Sequence, residues 1–597
     1  MPGIVGFITK ARSAGMESQL RGMLSSICHE SFYASGTMVD ESLGLYVGWT
    51  ALEGSFSDEM PLYNANKKIA MVFSGEDYSA AATGKPLVGL GYLVDLYENN
   101  AEFVSHLNGM FYGLVADRER GVVTLFNDRF GMHRLHYHES ADCFYFASEA
   151  KAILAVRSDL QQSDPRGIGE FIACSCVLEN RTIFKSIHLL PAASKWVFRN
   201  GHCESKSTYF TPGEWETQEP LSEELYYEEL RSTLARRLPY YFAGSQRLGI
   251  AMTGGLDTRV ILACHPPAPG SLPSYTFGGM FRDSHDVRIG RRLAGVLKQP
   301  HTIIEVGNEF LKEFASYAER TMRLTEGSVD VYRASDLYVS SKVREIAPAK
   351  IVGTYGSEIV RQAVMFKPSA PASGIFHPEF RSEIQRAGET YRALRTQHPV
   401  TFAAFCQSPW YHHGILAIEQ SQLTVRSPFM DNEFVRTVYR APERSASNGD
   451  VRLRLIKDQS PELGRIRSDR GVGGDAGLKS ALVRGCREFS FKAEYAYDYG
   501  MPQPLVRVDH TFSRLRLERL FLGRHKLTHF RVWYRDQLSD YVRQVLLDPL
   551  TLSRPYLEKK TLEALVESHL KGTENHTLAI HKLLSLELLQ RHVLNGN

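Results

Sequence analysis

The chain has 597 residues, too many for a single hydrophobic core, so two or three domains are expected. It is 43% hydrophobic and 23% charged, with 47 glycines, the make-up of ordinary folded domains, which excludes long disorder and fibrous repeats. Lys and Arg total 70 against 67 Asp and Glu, and a net charge of +3 on this length leaves no electrostatic footprint for nucleic acid.

Met1-Pro2-Gly3-Ile4-Val5-Gly6 carries neither the basic nor the apolar region of a signal peptide. No run of about 18 apolar residues follows, so a cytoplasmic location without a membrane partner is expected. The eight cysteines are scattered and form no CxxC pair, which reads as structural thiols.

Up to about residue 205, short apolar runs such as 109–115 and 122–126 alternate with turn residues and predict a mostly antiparallel β domain over 1–205. Residues 206–224, rich in Pro, Gly and acids around Thr211-Pro212-Gly213-Glu214, read as a linker. From 225 to 597, β runs at 247–252 and 350–353 alternate with helical periodicity, predicting a doubly wound parallel α/β domain. The last hundred residues read as helical.

Thr253-Gly254-Gly255-Leu256-Asp257-Thr258 follows a strand and opens the apolar helix 260–263. The glycines permit close backbone approach to an anion, the helix N-terminus supplies free N–H groups, and Thr253 and Thr258 add hydroxyl donors, so phosphate is the expected guest. Asp257 would repel a bare phosphate, which implies Mg²⁺ between them. The loop lacks the lysine of GxxxxGK[ST].

In its ordered motifs the chain resembles the asparagine synthetase family, whose SGG-x-D-S loop grips ATP pyrophosphate. Asn127-Asp128-Arg129-Phe130-Gly131 is similar to its RDRFG segment, Phe146-Ala147-Ser148-Glu149-Ala150-Lys151 to its FASE-x-K segment, Arg333-Ala334-Ser335 to its RAS stretch, and Arg426-Ser427-Pro428-Phe429-Met430-Asp431 to its R-x-PF-x-D element. The resemblance implies an N-terminal-nucleophile sandwich in the first half and a pyrophosphate-loop synthetase domain in the second. It implies ATP and Mg²⁺ as cofactors, with Thr253, Gly254, Gly255, Leu256, Asp257, Thr258, Phe277 and Gly356 at the nucleotide.

The departures matter as much. Family members that hydrolyse glutamine carry a cysteine nucleophile where this chain has Pro2, and the family's NGE-x-Y segment becomes Ser74-Gly75-Glu76-Asp77-Tyr78, so the glutaminase is expected to be inactive. The family's SG-x-G-x-DE segment corresponds to Val352-Gly353-Thr354-Tyr355-Gly356-Ser357-Glu358. Ser357 thereby joins Asp257 as a metal position, Glu358 is retained, and an alternative register shifts Gly356 by one step. The loop 465–474 lacks the family's lysine; Arg470 is the substitute, with Lys457 a second candidate cation.

The expected reaction activates a carboxylate through an acyl-adenylate and couples it to an amine not drawn from glutamine. The substrate is a small molecule or peptide carrying a carboxylate and an amine, as in relatives of the lasso-peptide cyclase and β-lactam synthetase type or in sugar-acid amidation, with a homodimer or accessory biosynthetic proteins as further partners. A tRNA-modifying enzyme shares the loop but fits neither the charge nor the cysteines. An inactive scaffold stays open.

Overall fold

The structure, a computed structural model, describes residues 1–10, 15–79, 90–369, 374–442, 450–473 and 478–594. In the first half, two six-stranded antiparallel sheets face each other. One is built around Gly3–Thr9 and Leu45–Leu52, the other around Ile69–Asp77 and Gly109–Asp117. Ile4, Val47, Phe73, Phe111 and Phe126 fill the space between them. Strand Leu45–Leu52 is buried along its whole length instead of alternating. Its other face is covered by helix Met16–Ile27, which turns Met16, Leu20, Met23 and Ile27 inward at helical spacing.

The second half is built on five parallel strands: β1 (Leu248–Ala251), β2 (Ser274–Gly279), β3 (His301–Val306), β4 (Ala349–Ile351) and β5 (Thr424–Arg426). Their order across the sheet is β3-β2-β1-β4-β5, so the direction of winding reverses between β1 and β4. In open α/β sheets the crevice at the carboxyl ends of the two strands flanking that reversal is where ligands bind. Four helices frame the crevice: α1 (Glu223–Phe242), started by the Ser222 hydroxyl, α2 (Asp257–Cys264), α3 (Gly356–Arg361) and α4 (Asp450–Gln459), which packs along α2. From Leu478 the described chain is helical, and Thr577–Leu589 is buried on most of its faces.

Segment 206–224 is anchored along its course. Strand His202–Thr208 runs into it, and the buried Trp215 packs against Phe210, Phe130 and Tyr439. One apolar core includes Phe130, Ile153 and Phe171 of the first half together with Tyr226, Ile250 and Leu589 of the second. Polar contacts follow the same seam: Asn108 Nδ2 donates to Asp431 at 2.8 Å, Arg426 grips the Glu76 carboxylate at 2.7–3.1 Å, and Glu326 accepts the N–H groups of Ala150 and Lys151 at 2.8 and 2.7 Å. Among the described residues no helix is long and apolar enough to cross a membrane.

Candidate functional site

The loop 253–258 leaves β1 at the reversal point and meets the loop after β4. Glycines make the contact possible. A Cβ on Gly353 would lie 2.5 Å from the Thr258 nitrogen, and one on Gly356 would lie 2.8 Å from Asp257 Cγ. The structure therefore sets Gly356 against Asp257.

Asp257, the first residue of α2, is partly buried. Its Oδ2 accepts the Ser357 hydroxyl at 2.7 Å, and its Oδ1 is paired with Arg452 Nη1. Arg452, from α4, also donates to Ser357 Oγ at 2.9 Å. The position expected to hold Mg²⁺ between Asp257 and Ser357 is thus taken by a guanidinium. Burial raises the Asp257 carboxyl above its usual range more than Arg452 and Ser357 lower it.

Two more acids stand at the loop. Asp286, in the first turn of helix His285–Leu297, accepts the Gly254 N–H at 2.7 Å. Burial and the charge of Asp469 push the Asp286 carboxyl up to about 6. Asp469 donates its own N–H to the Gly254 carbonyl, at 3.4 Å. The buried Arg259 holds the two loops together by donating to the carbonyls of Ile466 and Gly254.

The other expected site residues are spread out. Arg470 is exposed, its guanidinium 4.1 Å from the Phe491 ring centroid, while its neighbour Asp469 meets the loop. Lys457 is exposed on α4, close against Gly464. Glu358 is buried and pairs with His412 Nε2 at 3.2 Å. Phe277 lies on β2, with its ring 5.6 Å from that of Tyr275. Asp286, Arg452 and Asp469 escaped sequence reasoning. The loss of an acid at Ser357 was the one signal that a compensating partner for Asp257 had to exist.

Asp286 also borders a cavity of about 950 Å³. Segment 331–335 lines it with Tyr332, Arg333 and Ser335, and the C-terminal part of the chain adds Tyr499, Lys526 and Lys582. Each cation has a carboxylate partner: Arg333 with Asp336 at 3.1 Å, Lys582 with Asp330 at 2.9 Å, and Lys526 with Asp498. Lys526 is buried, its ammonium 3.8 Å from the Tyr499 ring centroid, and burial lowers its pKa. A wall of paired charges suits a zwitterionic guest better than a simple anion.

The pocket at Pro2 is far smaller, about 60 Å³. Gly75 N–H, an oxyanion donor by resemblance, donates instead to Ser57 Oγ at 3.0 Å, and Gln420 Nε2 sits 2.6 Å from His133 Nε2.

Residues 1–210 match the family model described as a glutamine amidotransferase domain, which defines the class of the first half. Asparagine synthetase [glutamine-hydrolyzing] 1 of Bacillus subtilis (strain 168) is 23% identical over 311 residues, 50% of this chain and 49% of the relative. Asparagine synthetase [glutamine-hydrolyzing] 3 of Arabidopsis thaliana is 23% identical over 436 residues, 69% of this chain and 64% of the relative. Over the stretches they cover, these matches are similarities to asparagine synthetases at 23% identity. The chain spans about half to two thirds of the length of these curated relatives. Among solved structures, glutamine phosphoribosylpyrophosphate amidotransferase from B. subtilis aligns with 52% of this chain and 67% of its own at 11% identity, with a TM-score of 0.26.

The resemblance to asparagine synthetases leads to the expectation of ATP and Mg²⁺, and the residues present suit the two differently. Mg²⁺ does not fit: both oxygens of Asp257 are engaged, Ser357 brings no charge, and among the described residues no group of three or more His, Cys, Asp or Glu could hold an ion. For a nucleotide the place suits, at the reversal point of the sheet, where Arg452, paired with Asp257, would stand beside its phosphates.

Proposed function

We propose that the chain is an ATP-dependent carbon–nitrogen ligase that activates a substrate carboxylate and couples it to an amine brought by a substrate, without hydrolysing glutamine. The observation that carries this reading is the position of loop 253–258 at the reversal of the sheet, beside a cavity of about 950 Å³ with charge-paired walls. ATP would supply the adenylyl group that activates the carboxylate and leave as AMP and pyrophosphate. Thr253, Gly254, Gly255, Leu256 and Thr258 would hold the phosphates through backbone N–H groups and hydroxyls, and Phe277 would flank the base. The cavity would hold the acid and the amine together, replacing a bimolecular encounter by a fixed one. A peptide or other natural-product precursor closed into a ring, or a sugar acid amidated by a second molecule, fits this description.

The expected result with the right substrate is AMP and pyrophosphate in equal amounts, read by nucleotide chromatography and by exchange of labelled pyrophosphate into ATP. ADP as the main product would remove adenylation from the reading. Glutamine is expected to leave the rate unchanged and to release no glutamate above the buffer rate. Pro2 has no thiol, Ser74 replaces an amide donor, and the Gly75 N–H is already held by Ser57. Protein-dependent glutamate release would overturn that half of the proposal.

A second reading, a non-catalytic member of the family, is favoured by one observation: the Asp286 carboxylate occupies the Gly254 N–H that a phosphate oxygen would use, with Asp469 beside it. Absence of nucleotide binding at any pH between about 5 and 8, a window that spans titration of a carboxyl near 6, would decide for it.

A further inference from the structure

We infer that Arg452 is a built-in cation that takes the place of a divalent metal at the pyrophosphate loop, so that the loop binds phosphate groups without Mg²⁺. This rests on the functional reading above for the location of the nucleotide, but it concerns the charge of the site and has its own test.

Arg452 Nη1 reaches both Asp257 and Ser357, the two residues between which a metal would bridge. The charges then balance. Two carboxylates and a divalent cation sum to zero, and so do one carboxylate and one guanidinium; the serine at 357 and the arginine at 452 are matched changes. Burial makes that balance matter, because Arg452 is 4% exposed and an unpaired charge at such a depth is costly.

A second observation points to a ligand. Arg452 Nε is buried and has no hydrogen-bond partner, although buried donors are nearly always paired. A phosphate oxygen beside the loop would satisfy it through a charge-assisted bond, which a guanidinium forms in a fixed plane. Arg361, at the end of α3, adds positive charge close by. Its pKa is lowered by burial and then by the charge of Arg452.

The test is calorimetric titration of the full chain with inorganic pyrophosphate, once in excess EDTA and once in Mg²⁺. Equal affinity in the two buffers is the expected result, and Arg452→Gln is expected to weaken binding about tenfold or more, the value of one charge-assisted bond. Binding that requires Mg²⁺, or no pyrophosphate binding in either buffer, overturns the inference. So does a wild-type site for Mn²⁺ that is lost in Asp257→Asn. If Arg452→Gln fails to fold, the double variant Arg452→Ser with Ser357→Asp serves in its place. It restores the second carboxylate and is expected to gain Mn²⁺ binding that the parent lacks; no gain counts against the proposal. Metal-free pyrophosphate binding together with a lack of AMP formation from every substrate would remove the proposed reaction and leave this inference standing.

Discussion

Replacing Asp431 by alanine is expected to cost the fold about 3–5 kcal/mol, the penalty of stripping one partner from a buried ion pair. Asp431 is fully buried, and its Oδ2 receives Asn108 Nδ2 at 2.8 Å, Arg237 Nε at 2.9 Å and the Tyr241 hydroxyl at 3.1 Å. Its Oδ1 starts helix Asn432–Val438 by accepting the N–H groups of Glu433 and Phe434 at 2.9 and 3.2 Å. Alanine would leave the Arg237 cation buried with the Tyr78 carbonyl, at 3.0 Å, as its nearest acceptor, and would also remove a helix cap worth about 1 kcal/mol. Asp431→Asn keeps the cap and loses the charge, so it should fall between alanine and the parent. Chemical denaturation measures the series, and an alanine variant within about 1 kcal/mol of the parent would show that the hub is not a stabilising centre.

The second large effect is one of pH. Glu326 is buried, and its carboxyl is pushed up to about 7, chiefly by burial and further by the charge of Glu149, against the pull of Lys151 and two backbone N–H groups. The folded state therefore holds a proton that the unfolded chain, titrating near 4.5, has released. Below pH 4.5 the group is neutral in both states and carries no penalty. As pH rises from there to about 7 stability falls, and above that the penalty is complete. Glu326→Gln removes the titration. Relative to that variant, the parent should lose up to about 3 kcal/mol between about pH 5 and about pH 8. A parent–variant difference that stays constant across the window would exclude Glu326 as its source.

The strand, loop and helix at 248–264 were legible because their signals are local: an apolar run, two glycines, then helical periodicity. The strands near 109 and 122 were legible for the same reason. What the sequence could not give were partners distant along the chain. Arg426 and Asp431 stood out as family markers, yet Arg426 binds Glu76 across 350 positions and Asp431 binds Asn108 across 323. Arg452 sits in an amphipathic helix among other charges and looks like a solvated residue until Asp257, 195 positions away, is brought against it. At the glycine-bounded loop the choice lay between adjacent residues. Ser468 N–H closes a turn onto the Val472 carbonyl at 2.8 Å, and Gly471 takes a φ of 81°. That geometry carries Asp469 onto the Gly254 carbonyl and turns Arg470 toward the Phe491 ring.

The grip of Arg426 on Glu76 bears on what can be cut from this protein. Glu76 belongs to the half whose glutamine chemistry Pro2 and Ser74 argue against, yet its carboxylate is the one that balances a guanidinium held 6% exposed beneath the crevice of the other half. A chain severed near 206–224 would strand that guanidinium, and with it the Asp431 carboxylate that Asn108 helps to hold, at newly opened surfaces shaped to be dry. The first half is thus no removable appendage: its carboxylate and its amide complete the polar pairing of the second half.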